Sequence, residues 1–279
     1  MVPAVVPNTL PLFAELDRLL SELLRRLTLA EWEQPTVVPG WRVRDVALHL
    51  LDGNLRSMSM LRDKHFGGPG PATSAYADVV EYLNALNQTW VAAGQRLSPA
   101  VLAWLLEVSG PAYTSFLHSL DPASPAQFAV AWAGEAESTN HFHIAREYTE
   151  KWHHQQQIRQ AMGQEAALLL PTLYHPFLAT CVHALPHHYR AVEAAPGTTV
   201  QFTISGPAGG TWFLHRSSSR WEVGCEYVGS VQATIDLPEA AAWRLFTKSL
   251  PPAEAAAYLT CQGPESLTNP VFSLLAIMA

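Results

Sequence analysis

Two segments of the sequence place polar side chains on one face of a predicted helix. In the first, the polar residues recur every three or four positions: Asp45, His49, Asp52 and Arg56. In the second, the same spacing relates a longer set: His143, Glu147, Glu150, His154 and Gln157. Residues at this spacing share one face of an α-helix. Apolar and aromatic residues flank both stripes, and helical bundles hold metal ions with side chains that face each other in this way.

The residue types on the two stripes suit a divalent metal ion. A catalytic zinc ion takes three protein ligands from histidine and carboxylate side chains and keeps one position open. Glu150 and His154 lie four residues apart and therefore point the same way, and His49 on a facing helix would complete the set. The ion also compensates the charge of a carboxylate removed from water. The sequence thus predicts a metal site of His49, Glu150 and His154, with two solvated stripes as the alternative.

The neighbours of these residues leave further assignments open. His153 forms an E-x-x-H pair with Glu150, as in carboxylate-bridged bundles, but it lies about 100° round the helix from the stripe. Glu147 or Asp52 is a candidate to hold the second nitrogen of a ligand histidine, or else is a solvated helix charge. His143 as a fourth ligand would close the shell, which is typical of a structural ion.

Hydrophobic periodicity predicts the elements that carry the stripes. Apolar residues at three- and four-residue spacing predict five helices in the first half: residues 11–27, 43–61, 76–97, a segment opening at Ser98-Pro99, and 140–162. Serine as N-cap and proline at the first helical position are typical of a helix start. Gly163 is a helix-ending residue, and residues 67–71 (GGPGP) and 121–139 are predicted loops.

The pattern changes after Gln164. One helix is predicted over residues 172–192, and four short alternating runs follow: 198–205, 210–216, 220–227 and 231–237. Turn residues between the runs indicate hairpins and therefore an antiparallel sheet. Two helices, from Pro238 and from Pro252, a short strand near residues 259–262 and a C-terminal helix complete this half. The predicted fold class is α+β, with a helical bundle over residues 1–165 and a small α/β domain over 166–279.

Composition excludes several classes of protein. Of 279 residues, 48% are hydrophobic and 15% charged, which indicates a globular chain and not a disordered one. The net charge of −7 comes with no basic cluster, so no nucleic-acid partner is predicted. Three widely spaced cysteines indicate reduced thiols. The first residues lack a basic n-region and no apolar stretch reaches membrane-span length, so we expect a cytoplasmic protein with no membrane span.

Two motifs resemble a known family. The segment VVPGWRVRDVALHLLDGNLR at residues 37–56 is similar to the first signature of DinB-like metal-binding bundles, in their maleylpyruvate isomerase N-terminal group. AREYTEKWHHQQQIRQAMG at residues 145–163 is similar to the second. The resemblance implies a four-helix bundle whose divalent metal, usually zinc, is bound at the positions of His49, Glu150 and His154.

The second half resembles a sterol-carrier-protein-like module. In the family, the metal holds a low-molecular-weight thiol, mycothiol, as a thiolate that attacks maleylpyruvate, and an arginine of the C-terminal domain grips the substrate carboxylates. Gln157 departs from the family, where aspartate is frequent. Arg244 and Lys248 are the nearest candidates for the substrate arginine. Arg56 is a further candidate cation, but its position about 10 Å along the helix axis from His49 predicts little direct contact with a metal-bound substrate.

Three functional hypotheses follow. The first is a zinc-dependent, thiol-using isomerase or transferase, or a hydrolase if water takes the open position. The second is a non-catalytic metal-binding protein whose C-terminal domain holds an apolar small molecule. The third is a metal-free helical domain. The number of protein ligands separates the first two, because an open position is needed only for catalysis. The oligomeric state does not follow from the sequence.

Overall fold

The computed structural model describes residues 1–73 and 75–277. These residues form two compact units. The helical unit comprises residues 9–127 and 150–168, and the sheet unit comprises residues 1–8, 128–149 and 169–279. The predicted boundary at 165/166 lies near the last crossing between units at 168/169, but each unit is built from more than one segment. The division into family-type domains stays a prediction.

The helical unit contains the helices predicted for the first half of the chain, together with a short helix, α2, that was not predicted. They are α1 (Phe13–Leu24), α2 (Leu29–Trp32), α3 (Val43–Ser57), α4 (Tyr76–Gly94), α5 (Pro99–His118) and the C-terminal part of α6 (Asn140–Ala161). A 3-10 turn at Leu10–Leu12 precedes α1, and a π-helical turn at Met58–Arg62 extends α3. The main helices predicted from periodicity are therefore confirmed, with ends that differ by a few residues.

Local capping explains where two of these helices begin. The Ser98 hydroxyl accepts a hydrogen bond of 3.3 Å from the Val101 amide, and Pro99 occupies the first turn of α5. At the start of α3, the Asp45 carboxylate accepts a 2.9 Å bond from the Arg42 amide and a 2.7 Å bond from the Gln95 side chain. Asp45 thus caps α3, although its spacing also places it on the polar stripe.

Helix α3 lies at the centre of the helical unit. It packs against both α4 and α5, and α1 packs against α5. Buried leucines and valines of these helices form the core with Trp32. The Trp90 indole donates a 2.9 Å bond to the Leu48 carbonyl. At Gly94, a Cβ atom would lie 2.3 Å from Leu48 Cδ2, so only glycine allows α4 this approach to α3. This packing fixes the position of His49 along the axis of α3 relative to α4.

Helix α6 is tied to the bundle by a partly buried ion pair. Lys151 Nζ lies 2.5 Å from Asp17 Oδ1, with 11% and 15% of the two side chains exposed. The ammonium group also lies 5.6 Å from the ring centre of Tyr113, within the range of a cation–π contact. Lys151 follows Glu150 directly, so this pair positions the part of α6 that carries the metal stripe.

Among the described residues, α5 is long and apolar enough by length and composition to cross a membrane. In this fold one face of α5 packs in the bundle, where Leu102, Leu106 and Leu117 are buried. Core helices commonly reach this length and hydrophobicity, and Glu107 interrupts the apolar run.

The sheet unit is built on a sheet of six strands within the described residues. They are β1 (Val2–Pro3), β2 (Thr199–Ser205), β3 (Gly210–Arg216), β4 (Trp221–Glu226), β5 (Ala233–Pro238) and β6 (Thr260–Gln262), in the order β1-β4-β3-β2-β5-β6. The helices of this unit are α7 (Pro171–Cys181), α8 (Leu185–His188), α9 (Glu239–Phe246), α10 (Pro252–Ala255) and α11 (Glu265–Thr268). The α+β fold class is confirmed.

One feature of the predicted sheet is wrong: the sheet is mixed and not antiparallel. The hairpins β2–β3 and β3–β4 are antiparallel, as their turns indicate. Strand β5, however, pairs parallel to β2, with Val200 opposite Ala233. The connection after β4 carries the chain across to the free edge of β2, and turn residues alone do not report such a crossover.

Two local predictions also need correction. The single helix predicted over residues 172–192 is divided into α7, a 3-10 turn at Val182–Ala184, and α8, which has Pro186 in its first turn. Strand β1 was not predicted, because two residues are too short to show a periodicity. It pairs with β4 through Val2 and Glu226.

Limited proteolysis tests the loop structure. Residues 62–73 are all exposed, whereas Val130 and Trp132 within the predicted loop 121–139 are buried. We therefore expect thermolysin to cut first within 62–73 and only later within 128–139, because exposed loops are the preferred sites. Mass spectrometry of the first fragments provides the measurement. Early cleavage inside α3 would contradict the helix assignment.

The Lys151–Asp17 pair generates a stability prediction. Lys151→Met leaves the partly buried Asp17 carboxylate without its ion-pair partner and is expected to lower the free energy of unfolding by about 3 kcal/mol. Arg25→Met, which removes an exposed pair with Glu107, is the matched control and should change it by less than about 1 kcal/mol. Urea unfolding measures both values, and equal losses in the two variants would contradict the anchoring role.

Candidate metal centre

Helices α3 and α6 bring together the three predicted metal ligands. His49, Glu150 and His154 each offer a ligand atom, and these atoms lie within 4.8 Å of one another. His154 Nε2 is 3.5 Å from Glu150 Oε2. The two imidazole rings are 4.4 Å apart between centroids, with an interplanar angle of 72°. In the part of the chain that the structure describes, no other set of His, Cys, Asp and Glu residues is arranged in this way.

A hydrogen bond sets the tautomer of His154. The ring Nδ1 lies 2.9 Å from the amide oxygen of Gln157. An amide oxygen can only accept, so Nδ1 carries a hydrogen, and Nε2 is the nitrogen that faces Glu150. Gln157, which is buried, therefore orients a candidate ligand. Gln157 is one of three residues, with Glu147 and Asp52, predicted to support the site, and it is the one that contacts the His154 ring at this nitrogen.

His49 is neutral and its ring is incompletely satisfied. Burial, and next the neighbouring His154, hold the pKa of His49 well below its usual range, so the ring keeps a free lone pair at pH 7. Its Nδ1 atom is buried and has no hydrogen-bond partner among the described residues. The Trp41 ring lies edge-on to it at 5.5 Å. A neutral, partly buried imidazole beside a carboxylate and a second imidazole fits a divalent metal ion of the zinc type.

The alternative ligands lie outside this group. His153 is buried, and its ring centroid is 3.9 Å from that of His154, but among the described residues it does not belong to the set with mutually close ligand atoms. The same holds for His143, whose Nδ1 is 2.9 Å from Arg146 Nη2. Burial lowers the pKa of His143 to about 4. Arg146 also pairs with Glu147 at 2.5 Å.

The candidate substrate cations have different surroundings. Arg244 lies 3.7 Å from Glu254 Oε2, and Lys248 is exposed at the end of α9 with a φ angle of 61°. Both belong to the sheet unit. Arg56 of the helical unit pairs with Asp52 at 3.2 Å, and burial raises the pKa of that carboxyl group.

Two residues at this site were not singled out from the sequence. Trp41 contacts His49, and its place in the P-G-W motif was the available signal. Asn87 on α4 accepts a 3.4 Å bond from Arg56. Nothing in the sequence pointed to Asn87, because its role depends on the packing of α4 against α3.

Comparisons with known proteins identify a matching family and two solved structures of similar fold. The family described as mycothiol maleylpyruvate isomerase N-terminal domain matches residues 13–159. A crystal structure of the mycothiol-dependent maleylpyruvate isomerase is similar, with a TM-score of 0.52, 14% identity, and coverage of 92% of this chain and 95% of that one. The crystal structure of a histidine-to-alanine variant of the same enzyme gives a TM-score of 0.53 and 13% identity, with the same coverage of both chains. No curated protein matches the chain.

Because the sequence identity between the two crystal structures and this chain is low, they show a shared fold and no more. The family match is more direct, because it covers more than half of the chain and includes His49, Glu150 and His154. The chain therefore belongs to the family of the mycothiol maleylpyruvate isomerase N-terminal domain.

Proposed function

We propose that this protein is an enzyme that depends on zinc or another divalent metal ion and uses a low-molecular-weight thiol, mycothiol or a relative. The substrate is a small electrophile that carries a carboxylate group, and the enzyme either isomerises it with the help of the thiol or transfers the thiol onto it. The observation that carries the proposal is the convergence of His49, Glu150 and His154 from two helices. Membership of a mycothiol-dependent isomerase family supports the thiol and the reaction class.

Each residue of the candidate metal centre has a different role in this proposal. His49 supplies an imidazole already neutral at pH 7, and His154 supplies Nε2, because its Nδ1 is occupied by the hydrogen bond to Gln157. Glu150 supplies the negative charge that offsets that of a divalent cation. When bound, the metal acts as a Lewis acid that lowers the pKa of a coordinated thiol. Trp41 and the burial around His49 limit the access of water to that side of the ring.

The open coordination position separates this proposal from its rival. A binding protein with a structural ion would need a fourth protein ligand. His143 was the residue considered for that role, and it is not part of the three-ligand group. In the rival account, residues 166–279 hold an apolar small molecule. Their sterol-carrier-like character stays a prediction.

The remaining site assignments are proposals as well. We assign to Gln157 the role of orienting His154, and to Asp52 the role of pairing with the cation Arg56. Arg244 and Lys248 are candidates to bind the substrate carboxylates, and Glu147 is a candidate to support the polar stripe of α6.

Metal analysis tests the ligand set. We expect about one zinc ion per chain in the purified protein, and its loss in His49→Ala and His154→Ala, because an incomplete set of ligands binds weakly. His153→Ala should leave occupancy nearly unchanged, and His65→Ala is a control at an exposed histidine. Elemental analysis measures all four. Full occupancy in both ligand variants would refute the assignment.

Thiol-dependent turnover tests the function. With mycothiol and maleylpyruvate, we expect turnover that stops when the metal is removed by a chelator and returns with added zinc. Arg244→Ala and Lys248→Ala separate the two candidate cations: a true carboxylate-binding residue should lower kcat/KM by at least tenfold at unchanged metal content. Arg220→Ala, at an exposed arginine of the same unit, is the control. Metal binding with no thiol-dependent turnover would favour the binding-protein account.

A further inference from the structure

The side chain of Arg56 extends back along α3 toward the metal centre. Its Cα lies seven residues after His49, about 10 Å along the axis, which from the sequence predicts little contact with a ligand at the metal. Long helical side chains, however, point toward the helix N-terminus. In the structure Arg56 Nη2 lies 3.2 Å from Asp52 Oδ2, one turn back. The guanidinium group therefore lies back along α3 beside Asp52, which is three residues from His49 on the same helix face.

Two helices hold this guanidinium group through the same nitrogen. Arg56 Nη2 faces Asp52 Oδ2 and also donates a 3.4 Å bond to Asn87 Oδ1 on α4. The other terminal nitrogen, Nη1, is covered from solvent and has no hydrogen-bond partner among the described residues. A buried charged donor without an acceptor is unfavourable. The arrangement is thus an oriented guanidinium group with one donor nitrogen left for an acceptor that the chain does not provide.

We propose that Arg56, oriented by Asp52 and Asn87, binds a carboxylate group of the ligand that occupies the metal centre. A guanidinium group suits this role because its planar donors match the two oxygens of a carboxylate. The ligand class is a small dicarboxylate or oxo-carboxylate, with one group at the metal and a carboxylate on Arg56. The proposal rests on the proposed function for the nature of the substrate, but the binding step can be measured separately.

A purely structural Arg56–Asp52 ion pair is the competing account. Such a pair would neutralise itself and leave the ligand site unaffected. A self-contained pair would not, however, leave Arg56 Nη1 covered from solvent and without a hydrogen-bond partner among the described residues. The contact printed for Asp52 is with the other terminal nitrogen, Nη2, at 3.2 Å, so it does not satisfy Nη1. Both observations favour an anionic ligand beside Arg56.

Maleate binding tests the proposal with a simple dicarboxylate probe. Isothermal titration calorimetry is carried out on the full chain, zinc-loaded and metal-free, for the wild type and for Arg56→Gln, Arg56→Lys and Asn87→Ala. We expect Arg56→Gln to weaken maleate binding at least tenfold in the zinc-loaded protein, Asn87→Ala to weaken it several-fold, and Arg56→Lys to give an intermediate value. Arg62→Gln, at an exposed arginine paired with Asp63, is the matched control and should bind like the wild type.

Zinc content and thermal unfolding are measured for each variant. Unchanged maleate affinity in Arg56→Gln, or no maleate binding by the wild type, would overturn the proposal. So would a loss of affinity in Arg56→Gln and Arg56→Lys that only follows a loss of zinc, since Arg56 would then support the ligands and not the substrate. If Arg56-dependent maleate binding is found but thiol-dependent turnover is absent, the carboxylate subsite stands and the proposed function fails.

Discussion

The constraint on which the structure depends is the meeting of two imidazoles and a carboxylate in a partly buried space between α3 and α6. Their ligand atoms lie within 4.8 Å of one another, and His49 Nδ1 is buried without a hydrogen bond among the described residues. An unsatisfied buried polar atom costs about 1–3 kcal/mol. A fold that keeps such a group must hold both helices firmly, and it gains from any ion that binds there.

The rest of the helical unit meets this requirement. Gly94 lets α4 approach Leu48 on α3, and the Trp90 indole ties the same turn of α3 to α4. On the other side, Lys151, which directly follows the candidate ligand Glu150, bonds to Asp17 on α1. The Gln157 hydrogen bond then selects the nitrogen that His154 presents. The candidate site is therefore pre-organised by contacts that are themselves buried or partly buried, which is how proteins keep ligand geometry within narrow limits.

Features encoded locally could be predicted from the sequence, and features that depend on distant pairing could not. The spacing of Glu150 and His154 and the Ser98-Pro99 start of α5 follow from helix geometry, and the structure contains both. The parallel pairing of β5 with β2 and the two-residue strand β1 depend on where distant segments meet. The contact of Arg56 with Asp52, one turn back along α3, depends on the direction of a long side chain, which an axial distance between Cα atoms does not report. Asn87 was missed for a similar reason, since its role arises only when α4 packs on α3.

X-ray absorption at the zinc edge tests the central claim most directly, because it reports the atoms bound to the ion. For the zinc-loaded protein the account predicts two imidazole nitrogens, carboxylate oxygen and a light exchangeable ligand. Adding mycothiol should introduce one sulfur scatterer near 2.3 Å, the usual zinc–sulfur distance, with the histidine signals unchanged. A shell closed by four protein ligands that does not change when the thiol is added would contradict the account and identify the ion as structural.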